Sequence, residues 1–126
     1  MKIFRRLLIV ATLFGIVFVM NKVSINNFNN FRIEGMRGLI SECFFPNHDT
    51  KYSEGYSSLA FLKIRLGMSE AQVLDILGEP LIRWSPQDSY IGFQYSESPS
   101  DTHYRLRQVY VSEGIVKDII GYYYID

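Results

Sequence analysis

The chain has 126 residues, with 13 Lys plus Arg against 13 Asp plus Glu, so its formal net charge is zero. That length holds one modest domain. At 48% hydrophobic and 21% charged the chain is too apolar for a disordered polypeptide, and aromatics at 15% suffice to fill a small core. Neutrality excludes the phosphate-neutralising surplus of Lys and Arg on which nucleic-acid binding rests, so no nucleic-acid partner is expected.

The zero is an average over two unlike parts. Lys2, Arg5, Arg6 and Lys22 give the first 24 residues +4 with no acid, and the remainder, with 9 basic and 13 acidic groups, carries −4. Leu7 to Met20 are apolar except for Thr12 and Gly15. A basic leader followed by such a run is the layout of a signal peptide or signal anchor. Fourteen helical residues span about 21 Å, short of a ~30 Å hydrocarbon core, but Ile3, Phe4 and Val23 extend the run if Arg5 and Arg6 snorkel. Val17 to Ser24 lack the small-residue cleavage pattern. The expectation is therefore a retained transmembrane anchor at residues 1–24, with a cleaved signal as the alternative. The anchor would contact the membrane through residues 3–23. The positive-inside rule puts the N-terminus in the cytoplasm and the rest of a single-pass chain in the periplasm, or otherwise outside the cytoplasm.

The one cysteine, Cys43, excludes an intramolecular disulfide. Ile40-Ser41-Glu42 ahead of it do not make a lipid-attachment motif, and the residue reads as a partly buried small hydrophobe beside Phe44-Phe45. Residues 25–51 read as an irregular spacer with one short helix near Arg37 to Phe44, because Gly35, Gly38, Pro46 and Asn47 to Lys51 interrupt every period. The organised domain spans residues 52–126. Its first part is ambiguous: a helix capped at Ser53 competes with a two-residue alternation through Phe61 to Leu66. One or two helical turns leading into an extended piece before Gly67 is the favoured reading.

The clearest signal follows. Ser69 is an N-cap, Gln72 completes a capping box, and Met68 can staple onto Val73. Gly78 and Pro80 then stop the chain, which predicts a helix from Glu70 to Leu77 with Ala71, Leu74 and Leu77 on one side and Val73 and Ile76 adjoining. Leu81–Ser85, Tyr90–Ser96, Tyr104–Ser112 and Ile115–Ile125 read as strands, the last two joined by a Glu113-Gly114 hairpin turn. In the third strand Tyr104, Leu106, Gln108 and Tyr110 share one face. Arg105, Arg107, Val109 and Val111 share the other, with the arginines expected in solvent. In the last strand Ile115, Ile119, Tyr123 and Ile125 oppose Val116, Ile120, Tyr122 and Tyr124. The second of these faces is either a partner-binding surface or is covered by residues 31–62 folding back.

The segment from Ile64 to Leu81 resembles the signature of the SmpA/OmlA family, the small BamE-like envelope proteins. Gly67-Met68-Ser69 precede the helix, a Val and a Leu pack inward from it, and Gly78-Glu79-Pro80 lead into the sheet. Trp84, Tyr95-Ser96, Arg107, Val109 to Val111 and Gly114-Ile115-Val116 match the family's sheet in order. The resemblance implies an α+β domain with short helices on a three- to four-stranded antiparallel sheet, similar also to β-lactamase-inhibitor-like modules. It also implies action by binding protein, and sometimes lipid, at the cell envelope rather than by catalysis. The chain differs from the family's lipoprotein members in having no cysteine before Cys43, so the lipobox cysteine is absent.

Chemistry has little to work with. Cys43, His48-Asp49 and Asp101-x-His103 lie in loop-like segments with nothing to fix their geometry, no pair has metal-ligand spacing, and Gly67 and Gly78 are helix punctuation rather than a phosphate loop. No catalytic residue, metal or cofactor is expected. Trp84, Arg105, Arg107, Tyr122 and Tyr124 are the candidate partner-binding residues, while Gly67, Met68, Ser69, Gly78 and Pro80 specify the fold. Arg83, Arg105 and Arg107 read as a basic strip open to acidic protein or anionic lipid. The expected function is a non-enzymatic, membrane-tethered protein-interaction module of the bacterial cell envelope, linked to outer-membrane assembly or envelope integrity. The alternative is an exported inhibitor-like domain that binds and blocks an enzyme.

Overall fold

The computed structural model describes residues 1–22 and 25–126. Its first element, α1 (Lys2–Lys22), is helical. Among the described residues, however, no helix is long and apolar enough to cross a membrane. The reason lies in the spacing of charge: Lys2, Arg5, Arg6 and Lys22 leave an apolar run of only Leu7 to Met20, about 21 Å of helix against the ~30 Å of a hydrocarbon core. This corrects the expected transmembrane anchor. It equally corrects the single-pass topology built on it, with its cytoplasmic N-terminus, its periplasmic domain and its membrane contact through residues 3–23. Val23 and Ser24, at the end of that segment, lie outside the described residues.

The rest is an α+β fold. α2 (Ile25–Phe44) stands where an irregular spacer was expected and bends at Gly35, whose φ of 68° and ψ of −161° interrupt the helix. After β1 (Lys51–Tyr52), α3 (Ser58–Phe61) is a single turn capped by Ser57 rather than Ser53, with Ser57 Oγ accepting the Ala60 N–H at 3.1 Å. α4 (Glu70–Leu77) occupies the expected residues with the capping box complete: Gln72 N–H donates to Ser69 Oγ at 3.2 Å, and Ser69 N–H to Gln72 Oε1 at 2.9 Å. Val73 and Leu77, one helical turn apart, are its fully buried residues. Ala71, expected on the inner side, is exposed because the sheet lies against the Val73–Leu77 row.

β2 (Ile82–Gln87), β3 (Tyr90–Gln94), β5 (Tyr104–Ser112) and β6 (Ile115–Tyr124) form an antiparallel sheet in the order β2-β3-β5-β6. β4 (Ser96–Glu97) pairs with β1 in a second, two-stranded sheet. The β5–β6 turn has φ of 53° at Glu113 and 76° at Gly114, the two positive values of a type I′ turn, and glycine takes the second at no steric cost. Beside that turn, Gly67 N–H donates to the Val116 carbonyl at 2.9 Å and Val116 N–H to the Met68 carbonyl at 2.8 Å. The residues leading into α4 are thus stitched to the start of β6.

One bulge changes the faces. Tyr110 pairs with Asp118 and Val111 with Val116, so Lys117 is an extra residue. Val116 therefore turns to the side of Ile119 and Tyr123 and is buried, instead of siding with Tyr122 as strict alternation predicts. On this inner face Phe93, Val109, Val111 and Val116 meet Phe61, Ile64, Val73, Leu77 and Tyr95 in one core. Each large apolar side chain buried there contributes about 1.5–3 kcal/mol.

Candidate functional site

The pleat of the four-stranded sheet divides the five candidate binding residues between two faces. Arg105 and Arg107 alternate with Val109 and Val111 and point inward, under α2. The expectation that they face solvent is corrected: Arg107 is 0% and Arg105 2% exposed. Glu34 from α2 supplies the compensating charge. Its Oε1 accepts from Arg107 Nη2 at 2.7 Å and its Oε2 from Arg105 Nη1, while Glu42 takes Arg105 Nη2 at 2.8 Å. Arg107 Nε donates to Tyr56 Oη at 3.1 Å, and Asn30 Oδ1 accepts from Arg107 Nη2 at 3.3 Å. Burial works against the Arg105 charge, but the hydrogen bonds to Glu34 and Glu42 more than offset it and hold the guanidinium above its ordinary pKa. Arg83 does not continue a basic strip. It lies over the Phe93 ring at the β2 edge and pairs with Glu79 at 2.7 Å and Glu70 at 3.4 Å.

This cluster is how α2 docks. Gly121, opposite Arg107 on β6, has no side chain, and a Cβ there would collide with Ile33 Cγ2 of α2 and sit 3.2 Å from Phe61. Tyr123 Oη donates to the Phe45 carbonyl at 2.5 Å just past the end of α2. The sequence carries one signal of this arrangement, namely that the two arginines share a face with core valines. The partner Glu34 is 71 residues from Arg105.

The other face holds Trp84, Tyr122 and Tyr124. The Trp84 ring covers Gly92, where a Cβ would come within 2.6 Å of it, and stands edge-on to Tyr110 with centroids 5.5 Å apart. Tyr124 contacts Tyr104 at 5.4 Å and Tyr122 at 6.5 Å. Between the two aromatic groups runs a chain of side-chain amides: Tyr110 Oη donates to Gln108 Oε1 at 3.1 Å, Gln108 Nε2 to Gln94 Oε1 at 3.1 Å, and Gln94 Nε2 to the Ser96 carbonyl at 2.8 Å. α3 and α4 join the core on the opposite face, and α2 meets Gly121 and the arginines there too. Residues 31–62 thus fold back, but onto the inner face. Tyr122 remains 45% exposed, Tyr124 38% and Ile82 43%. A cleft of about 420 Å³ beside Tyr90, Tyr110 and Ile120 opens at the hairpin end.

The remaining nucleophilic and basic groups do not converge. Cys43 is exposed rather than partly buried. His48 Nδ1 is bonded to Thr50 Oγ1 at 2.9 Å, and burial, then the Arg105 charge, lower its pKa below the ordinary value. His103 Nδ1 accepts the Asp126 N–H at 3.2 Å. Asp49 ties down the 98–102 loop, accepting from Ser98 Oγ at 2.5 Å, from the Ser100 N–H at 2.9 Å and from Ser100 Oγ and Thr102 Oγ1. Those bonds, led by the Ser100 and Ser98 hydroxyls, hold its carboxyl well below the usual range. Among the described residues no group of three or more His, Cys, Asp and Glu is arranged to hold a metal ion.

Comparison with known proteins returns no family model and no curated protein that matches the chain.

Proposed function

We propose that the chain is a non-enzymatic interaction module that binds a protein partner through the open, tyrosine-bearing face of its four-stranded sheet. The observation that carries this reading is the asymmetry of the sheet: three helices pack on one face, while Trp84, Tyr104, Tyr110, Tyr122 and Tyr124 gather on the other. Tyr and Trp dominate the energetic centres of protein interfaces, because each offers a large rigid apolar body with one polar handle. The resemblance of Gly67 to Pro80, and of the strands after it, to the SmpA/OmlA family supports a cell-envelope protein as the partner and envelope assembly or integrity as the setting.

The test is site-specific photo-cross-linking in intact cells from positions 84, 122 and 124, with position 75 on the exposed side of α4 as control. The expected result is one identified partner captured from the three face positions and not from the control. Its capture should fall at least tenfold when Tyr122→Ser and Tyr124→Ser are combined in a chain that still folds. Equal capture from the control, or none from the face, sinks the proposal. Capture of an enzyme whose activity drops on binding selects the inhibitor-like reading instead.

A further inference from the structure

The four-stranded sheet has two edges, and they are guarded unequally. β2 carries Pro86 and a break in register between Trp84 and Gln87, features that keep other strands off. β6 is the other edge. Its first residues are occupied: Val116 is bonded to Gly67 and Met68, and Ser69 bridges to Ile115. The bulge at Lys117 follows. From Ile119 to Ile125 the strand then has neither charge nor proline, and among the described residues no strand lies alongside it.

The register decides which backbone groups this leaves open. Ser112 and Ile115 face each other across the two-residue turn and exchange both ladder bonds, which points the Val116 N–H and carbonyl outward, where Met68 and Gly67 take them. Beyond the bulge the same alternation points the backbone groups of Ile119, Gly121 and Tyr123 outward. The Ile119 N–H accordingly donates to Asp118 Oδ1 at 2.8 Å. Two clefts open along this edge on the α2 side. One, of about 250 Å³, lies at Ile119 and Gly121 beside Arg32, Leu62 and Arg65; the other, of about 350 Å³, lies at Tyr123 beside Arg37 and Ile40. Gly121 and Tyr123 are two residues apart, the repeat at which an extended chain turns its side chains to one face.

We infer that the β6 edge accepts an extended acidic segment of another protein as a fifth strand, with carboxylates two residues apart on that segment entering the two clefts. Its backbone bonds Gly121 and Tyr123, and its carboxylates meet Arg32 and Arg65 in the first cleft and Arg37 in the second. Charge selects this occupant. Arg32, Arg37, Arg65 and Lys117 are all exposed, and among the described residues none of them pairs with a carboxylate. Arg65 is already held in place, its Nη1 donating to the Leu62 and Ile64 carbonyls at 2.5 and 3.0 Å. Glu34, in the wall of the second cleft, is spent on Arg105 and Arg107. A second copy joined edge to edge would set the same guanidinium groups against one another, so charge opposes self-pairing. Edge addition of this kind takes its affinity from main-chain bonds and its specificity from alternate side chains. It is independent of the partner proposed for the tyrosine-bearing face, because it uses the edge of β6 and the α2 side.

The probes are a decapeptide of alternating Val and Glu and its counterpart of alternating Val and Lys, each titrated into the full chain. The Val and Glu peptide should bind about tenfold tighter than the Val and Lys peptide, and should slow hydrogen exchange at the Gly121 amide while leaving the amides of α4 unchanged. Arg32→Glu combined with Arg37→Glu should reverse the preference between the two peptides. Both substitutions fall on exposed side chains, and unchanged far-ultraviolet circular dichroism and thermal midpoint verify that the variant folds. No binding of the Val and Glu peptide at millimolar concentration overturns the inference. So does equal binding of the two peptides, a preference that survives the charge reversal, or binding that leaves Gly121 exchange unchanged. Protection of Gly121 that grows with the concentration of the chain alone marks self-pairing and overturns it as well.

Discussion

Glu34 is the residue on which the docking of α2 turns, because one buried carboxylate faces two buried guanidinium groups. Removing it strands two guanidinium groups whose side chains are 3% and 0% exposed, so Glu34→Ala should cost about 3–5 kcal/mol. Glu97→Ala, which breaks the exposed pair with Lys51, should cost less than about 1 kcal/mol. Urea denaturation of the two variants side by side checks the contrast; similar losses would show that the Glu34 cluster is not closed to solvent. Two further residues set the acid response. His48 has a folded pKa below its ordinary 6.5, so its contribution is complete above 6.5 and is lost as pH falls below it. Asp49 has a folded pKa below its ordinary 3.8, so its contribution is complete above 3.8 and is lost as pH falls further. Stability measured against pH should decline in two acid steps, with His48→Gln removing the first and Asp49→Asn the second. None of these roles could be read along the chain. Arg105 and Arg107 were expected in solvent because the carboxylate that faces both, Glu34, stands 71 and 73 residues away, and Asp49 finds its partners 49–53 residues away.

Among the elements, α4 is the one whose limits were legible in full. Every signal that defines it acts within five residues, from the Met68 staple to the Gly78 stop. Ser69→Ala should therefore lower stability by about 1 kcal/mol, seen as a shifted urea midpoint at unchanged slope. α2 lies at the other extreme. Its glycines and asparagines disfavour a helix locally, and it forms because Asn30, Ile33 and Glu34 bind the sheet. That dependence makes it testable: Gly121→Ala should push Ile33 off β6 and cost about 1–3 kcal/mol, and Ile33→Ala in the same chain should recover part of the loss. Additive losses would mean that the close approach does not hold α2 in place. The β5–β6 hairpin was announced by Glu113-Gly114. The bulge at Lys117, which moves Val116 into the core, was not, because it arises where the Gly67–Met68 segment pulls on β6 from outside the hairpin.

At the scale of the molecule, the sheet has one closed and one open face, and α1 with the outer side of α2 forms a second uncovered region. Replacing Tyr122 and Tyr124 together by Ser should cost about 1–3 kcal/mol, since the two rings are more than half covered and pack on each other and on Tyr104, and should leave the chain folded while abolishing partner capture. A large stability loss would reassign them to structure. The chain as written already decides whatever depends on near neighbours: the capped helix, the tight turn, the alternation that separates Tyr122 from Tyr123, and the split of charge near residue 24. Folding in three dimensions decides the rest. It directs α2 to the arginine face rather than the tyrosine face, and it buries a carboxylate with two guanidinium groups. Burial and charge pairing depend on contacts between residues far apart in sequence, whereas caps, turns and pleats need only a few consecutive ones.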